Sequence, residues 1–246
     1  MTARLDPRLR VAADGDVFDD AEVAGSDAPV RRYFLAAIAP GTPLARAAQL
    51  RMRGSIRFGN QWIPFRADEL LAPLHGYDWP AKVAGGLLRG SDAYVDGRAS
   101  MRWRFLGLVP IIRSSGPDVD RSAMGRAVAE GIWLPTALLP RYGVVWNAEN
   151  DEHLVADMPI GSERVKLHIS IDSDGHVRSG HVDRWSDPHG SGTFEWVPFG
   201  VEAGESRAFP CGITMPADGT GGWFHGTNRW PDGQFMRYSI SELVPI

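Results

Sequence analysis

A chain of 246 residues, 43% hydrophobic and 23% charged, is long enough to bury a large core and reads as one ordinary globular domain. Its net charge of −4 and pI near 6.0 argue against a general nucleic-acid or anionic-membrane binder, which would need a basic field, and none is evident. The single Cys211 excludes an internal disulfide, and Pro210 and Gly212 beside it suggest a turn, not the setting of an activated thiol.

Residues 1–25 read as a loose acidic leader, with one helical turn between Val17 and Ala24 at most. The first 27 residues hold no apolar run of the kind a secretory signal needs, so a cytoplasmic location is expected. No stretch approaches the roughly 20 apolar residues of a membrane span. Asp27 and Pro29 then open a helix with Val30, Tyr33, Phe34 and Ile38 on its apolar side, ended by Pro40-Gly41.

From Leu50 the period becomes two. Met52, Gly54, Ile56 and Phe58 alternate with Arg51, Arg53, Ser55 and Arg57. A two-residue Gly59-Asn60 turn sets Phe58 against Gln61, Ile56 against Ile63, Gly54 against Phe65, Met52 against Ala67 and Arg51 against Asp68. A second hairpin turns at Asp96-Gly97, with Tyr94, Asp92, Gly90 and Leu88 facing Ala99, Met101, Trp103 and Phe105. Asp92 is then a carboxylate on an aromatic face, which is costly unless it is paired or protonated. Arg102 and Arg104 join Arg51, Arg53 and Arg57 on the opposite face, more in the manner of a solvated outer surface than of a binding stripe.

Between these hairpins and a further set of strands, residues 116–139 carry the clearest helical period. Pro117, Asp118 and Asp120 suit a helix N-terminus. Met124, Ala127, Val128, Gly131 and Ile132 form one stripe, and Pro135 stops the helix or starts a second short one. Because 131–139 is apolar all round, Trp133 and Leu138 are expected to be buried against the sheet. Strands follow at 144–146, 154–158 and 165–171, then at 177–185, 193–197 and 209–215, with a last one after Pro231-Asp232-Gly233. The 165–185 hairpin has two registers. A three-residue Ser173-Asp174-Gly175 loop puts His181, Asp183 and Trp185 on the apolar side; a two-residue turn sets His181 against His168 on the outer face.

The nucleophile elbow, phosphate loop, HExxH, paired CxxC and dinucleotide fingerprint are missing. His181 with Asp183 gives two converging groups where a metal needs at least three, so no metal and no cofactor is expected. The acid–base candidates are Asp92, Glu130, His181 and Asp183. For Glu130 an ion pair with Arg126, one turn back, is the plainer reading.

The stretches Tyr94-Val95-Asp96-Gly97-Arg98-Ala99-Ser100-Met101, Leu106-Gly107-Leu108-Val109-Pro110 and Trp133-Leu134-Pro135-Thr136-Ala137-Leu138-Leu139-Pro140 resemble a bacterial family catalogued only as a domain of unknown function. So do Gly226-Thr227-Asn228-Arg229-Trp230, Asp232-Gly233 and Phe235. The resemblance runs from about Pro29 to the end. It implies an architecture similar to the open half-barrel of bacterial lipoprotein carriers, whose curved sheet and helices enclose an apolar cavity.

The fold expected is therefore mainly β (α+β): a curved antiparallel half-barrel of about ten strands over residues 26–246, with a helical pair across its concave face. A hydrophobic small molecule is the expected partner, touching Tyr94, Trp103, Met124, Val128, Trp133, Trp185 and Tyr238, although the same aromatics would also serve simply to fill a core. The alternative is a cofactor-independent cyclase or isomerase using a carboxylate or histidine in that cavity. Nothing in the sequence fixes an oligomeric state.

Overall fold

The computed structural model of the chain describes residues 5–13, 15–188 and 190–246. After helix α1 (Ala28–Ala37) come β1 (Ala48–Phe58), β2 (Gln61–Ala72), β3 (Gly76–Val83), β4 (Leu88–Val95), β5 (Arg98–Phe105) and β6 (Val109–Ser114). Helix α2 (Pro117–Ala129) and 3-10 turns over Glu130–Trp133 and Pro135–Leu138 lead to β7 (Val145–Ala148), β8 (His153–Ile160), β9 (Glu163–Ile171), β10 (Val177–Ser186) and β11 (Glu195–Ala203). The chain closes with β12 (Ser206–Ala208), β13 (Thr214–Pro216), β14 (Asp218–Trp223), the single turn α3 (Trp230–Gly233) and β15 (Gln234–Pro245).

Among the described residues thirteen strands form one antiparallel sheet, ordered β6-β5-β4-β3-β2-β1-β15-β14-β11-β10-β9-β8-β7, and β12 pairs with β13 apart from it. Helix α2 touches β3, β4 and β5 on one side and β8, β9 and β10 on the other. Strands so far apart in the order meet one helix only because the sheet curls round it, which makes a half-barrel with α2 in its concavity.

Both early hairpins have the expected registers. Gly59-Asn60 and Asp96-Gly97 are the turns, Gly54 faces Phe65, and Gly90 faces Trp103. The aromatic rings lie over those glycines: a Cβ on Gly54 would stand 2.8 Å from Phe65 Cε1, and one on Gly90 2.3 Å from Trp103 Cδ2. Helix α1 also forms as expected, with Val30, Tyr33 and Phe34 buried, although Asp27 does not cap it and instead accepts the Ala148 amide at 3.2 Å. The α-helix ends at Ala129, and Pro135 starts a second short helical turn, the latter of the two expected outcomes; Trp133 and Leu138 are buried.

Three expectations need correction. The sheet has thirteen strands and not about ten: β3 and β6 contain Pro80 and Pro110, and β14 contains Gly219, Gly221 and Gly222. Such runs are discounted by alternation rules, yet pairing with neighbouring strands holds them. Of the 209–215 strand only Thr214 and Met215 lie in a strand, β13; most of the rest is the turn that joins β13 to β12 before it. The described part of the acidic leader is packed down: Leu9 sits with Leu70 and Val95 on the sheet, Phe18 and Val23 are buried in the main core, and the Asp6 amide donates to Asp78 at 2.9 Å. A few well-placed apolar side chains suffice for this despite the acidic composition.

Candidate functional site

The concave faces of β2, β3 and β4 continue their alternation under α2 and deliver Glu69, Tyr77, Trp79 and Asp92 to one place. Helix α2 supplies Arg126. Its guanidinium pairs with Glu130 at 2.7 Å, Asp92 at 3.5 Å and Glu69 at 3.6 Å, and stacks over the rings of Tyr77 at 4.2 Å and Trp79 at 5.1 Å. Burial works against the Arg126 charge, but Glu130, Tyr77, Glu69 and Asp92 outweigh it and hold its pKa above the ordinary value.

Three carboxyls around one arginine leave an excess of negative charge in a low-dielectric place, and proton uptake relieves it. Burial pushes the Glu69 carboxyl well above the carboxylate range, and Glu130 adds to the shift against the pull of Arg126. Neither Glu69 oxygen accepts a donor's hydrogen bond, while its carboxyl lies against that of Glu130. Asp92 is also raised by burial, opposed by Arg126 and by the Trp103 indole, which donates to it at 2.8 Å.

From the other wall, β10 sends in Arg184. Its Nε donates to the Ser122 carbonyl at 2.9 Å and to the Ser122 hydroxyl at 3.1 Å, and its guanidinium lies over Phe199 at 4.5 Å and Trp223 at 4.8 Å. Gly125 makes the approach possible, since a Cβ there would already stand 3.2 Å from Arg184 Cγ. Among the described residues Arg184 has no carboxylate in ion-pair contact, and burial lowers its pKa to about 10.

These groups stand at one end of a cavity of about 380 Å³. Its remaining walls are apolar, among them Val83, Leu88, Met101, Ile132, Phe235 and Met236, and the exposed Phe58, Ile111 and Ile112 form the mouth. Of the residues singled out from sequence, Asp92, Glu130, Trp103, Trp133 and Tyr238 line this space. Trp133 donates to the Tyr238 hydroxyl at 3.4 Å. Val128 and Tyr94 are buried beside the cavity without lining it, and Met124 is half-buried on the same helix. Trp185 sits at the end of β10, where its indole donates to Asp118 at 2.7 Å and packs edge-on against Trp196.

His181 and Asp183 are not brought to Asp92 and Glu130. A shift between Val177 and Ser179 sets His181 opposite His168 on the outer face, with Asp183 exposed. The outer register is the one that forms. His181 stacks between His168 and His225, at 4.7 Å and 5.3 Å, and burial together with those two rings lowers its pKa to about 4. Among the described residues no group of three His, Cys, Asp or Glu side chains is placed to hold a metal ion.

Glu69, Arg126 as a buried hub, Arg184 and the Tyr77–Trp79 pair escaped the sequence reading. Glu69 was within reach of it: the register that sets Met52 against Ala67 sets Leu50 against Glu69 one step further along the same face.

Among curated proteins none matches the chain. Crystal structures similar to the chain at low identity include the following three. A DUF1329 family protein from Desulfovibrio piger is 9% identical, with 82% of this chain and 86% of that one covered and a TM-score of 0.45. A putative outer membrane lipoprotein-sorting protein domain from Vibrio parahaemolyticus is 10% identical, covering 80% and 84%, at 0.44. A LolA superfamily protein from Nitrosomonas europaea is 10% identical, covering 89% and 92%, at 0.43. Residues 16–235 match the profile of one family across nearly the whole half-barrel, and the chain belongs to it: the family of unknown function DUF6544.

Proposed function

We propose that this protein binds a hydrophobic small molecule in the cavity between α2 and the sheet, with the ligand's polar end toward Asp92, Arg126 and Arg184. The observation that carries this reading is the distribution of chemistry in a space of about 380 Å³, apolar on most walls and polar at one end. That is how small-molecule sites combine affinity with orientation. Gly221 gives a direct test. It faces the cavity, and a Cβ there would meet only the Gly200 carbonyl, at 3.7 Å, so Gly221→Phe should fill the space without displacing backbone. The neutral fluorophore N-phenylnaphthylamine should bind the native protein with enhanced emission and fail to bind the variant. No binding by the native protein, or equal binding by both, would refute the reading.

A second reading, a cofactor-independent acid–base enzyme of cyclase or isomerase type, is favoured by one specific feature: Asp92 and Glu69 are both carboxyls raised by burial beside the cavity, and raised carboxyls gather at catalytic sites. For any substrate turned over, Asp92→Asn should lower turnover by about 10²-fold or more. A pure binder with the same change should show only a modest shift in affinity.

A further inference from the structure

The composition argues against a basic field, yet the fold builds one. On the outer face of the first five strands, Arg53 stands opposite Arg66, Arg66 opposite Lys82, Lys82 opposite Arg89, and Arg89 opposite Arg104. Like charges directly opposite one another destabilise a sheet, and all five side chains are exposed. Two residues before Arg53, Arg51 is neutralised by Asp68 and Glu242. The row itself has no such partners among the described residues.

The row ends beside an equally unusual tip. The β5–β6 turn exposes Leu106 to 58% and Leu108 to 77%, with Val109 and Ile111 also exposed. Leu106 has φ 50° and Gly107 φ 73°, a pair of left-handed positions that normally takes Asn-Gly or Asp-Gly. The β4–β5 turn adopts the same conformation with Asp96-Gly97. A leucine there is strained, and strain of this kind gathers at functional sites. Leu87 and Phe58, at the neighbouring turns on the same end of the strands, are exposed too.

We propose that this edge of the half-barrel docks on an anionic lipid bilayer, the apolar tip entering the interface and the cationic row meeting phospholipid headgroups. Apolar side chains backed by arginines are the pattern of interfacial attachment, in which burial and attraction to acidic lipid act together. A nucleic acid would satisfy the cations and leave the leucines in water. Ile111 belongs both to this edge and to the cavity mouth, so docking would bring the mouth to the membrane surface.

The test is sedimentation of the full chain with vesicles of phosphatidylcholine alone and of phosphatidylcholine mixed equally with phosphatidylglycerol. The protein should pellet with the mixed vesicles, much less with the neutral ones, and less as salt is raised. Leu106→Asn puts a preferred residue into the strained turn, so it should fold at least as well as the native chain and bind vesicles about tenfold more weakly; Leu108→Ser should act likewise. Arg89→Gln with Arg104→Gln should weaken binding about 25-fold, roughly fivefold for each charge. Neither leucine lines the cavity, so N-phenylnaphthylamine should bind these variants as it binds the native protein, which keeps the two proposals separate. Failure to pellet with acidic vesicles, equal pelleting with both kinds, or indifference to the leucine changes would overturn the inference. So would a stable dimer that Leu108→Ser dissociates, because the tip would then be covered by a second copy.

Discussion

Replacing Glu69 by Gln should change how stability depends on pH, and the sign follows from the direction of the shift. The Glu69 carboxyl in the folded chain titrates well above its ordinary 4.5. Between 4.5 and that raised value the native state holds a proton that the unfolded chain has released. Unfolding free energy therefore falls as pH rises through this window, by about 1.4 kcal/mol per pH unit for one proton. Gln has nearly the same shape and does not titrate. Native and variant should be close in stability near the lower end of the window. The variant should then gain on the native protein by up to about 1.4 kcal/mol per unit as pH rises. Other groups add their own slopes. Asp92 is raised and acts in the same direction. His181, lowered to about 4, and His75, also lowered by burial, oppose it, because the unfolded chain takes up protons there that the folded one refuses. These contributions are common to both proteins and cancel in the difference. Urea unfolding followed by tryptophan fluorescence at several pH values from about 5 to about 8 measures that difference. If it is constant across pH, or grows in favour of the native protein, Glu69 does not carry a proton in the fold.

The lid and the two arginines give further tests by the same unfolding measurement. Ile132→Ala and Leu138→Ala, at sites 1% and 0% exposed, should each cost about 2–5 kcal/mol, and near-native melting of either would contradict the packing described. Arg126→Met strands three carboxyls and should cost about 3–5 kcal/mol, whereas Arg184→Met removes a buried charge with no ion-pair partner among the described residues and should be neutral or stabilising; equal effects would mean the two guanidiniums are alike. Trp103→Ala removes a ring that covers Gly90, lines the cavity and bonds Asp92, so it should both lower stability by about 3–5 kcal/mol and weaken N-phenylnaphthylamine binding.

The sheet was legible wherever a strong turn fixed a register. Gly59-Asn60 and Asp96-Gly97 each have a short geometry that brings Met52, Ile56, Ile63 and Phe65, or Leu88, Tyr94, Met101 and Trp103, to one face, and a slip of one residue would have split each set between two faces. Strand β3 lacked that help: its neighbouring turns hold no Asn-Gly or Asp-Gly, and Pro80 lies in its middle. The His181 hairpin was undecidable for a different reason. Its two registers differ by a single residue, and the shift after Val177 lets Val177 obey one while His181 obeys the other. For the site, Asp92 and Glu130 were legible as carboxyls in the wrong surroundings. Arg126 was not, because a residue off the apolar stripe of α2 normally points to water. Here β2, β3 and β4 curl up around the flank of the helix and enclose it, and curvature of that extent is a property of thirteen strands together and not of any local pattern.

Curvature alone does not make a cavity, since a half-barrel closed by a helix would ordinarily be packed solid. What keeps this one open is an asymmetry in how its glycines are used. On the β1–β5 side, the space beside Gly54 and Gly90 is taken by Phe65 and Trp103, so the small residue makes room for a large neighbour and no volume is left. On the β10–β14 side, Gly180 and Gly221 face the concavity. A Cβ on Gly180 would meet Ile132 Cγ2 at 3.2 Å, but Gly221 has no side chain within 4 Å of the place its Cβ would occupy. Phe199 and Trp223, which line the cavity, have their rings under the Arg184 guanidinium. The arginine thus has a structural part in the cavity wall: cation–π attraction favours keeping both aromatic faces on its guanidinium, beside the Asp92–Arg126–Glu130 cluster.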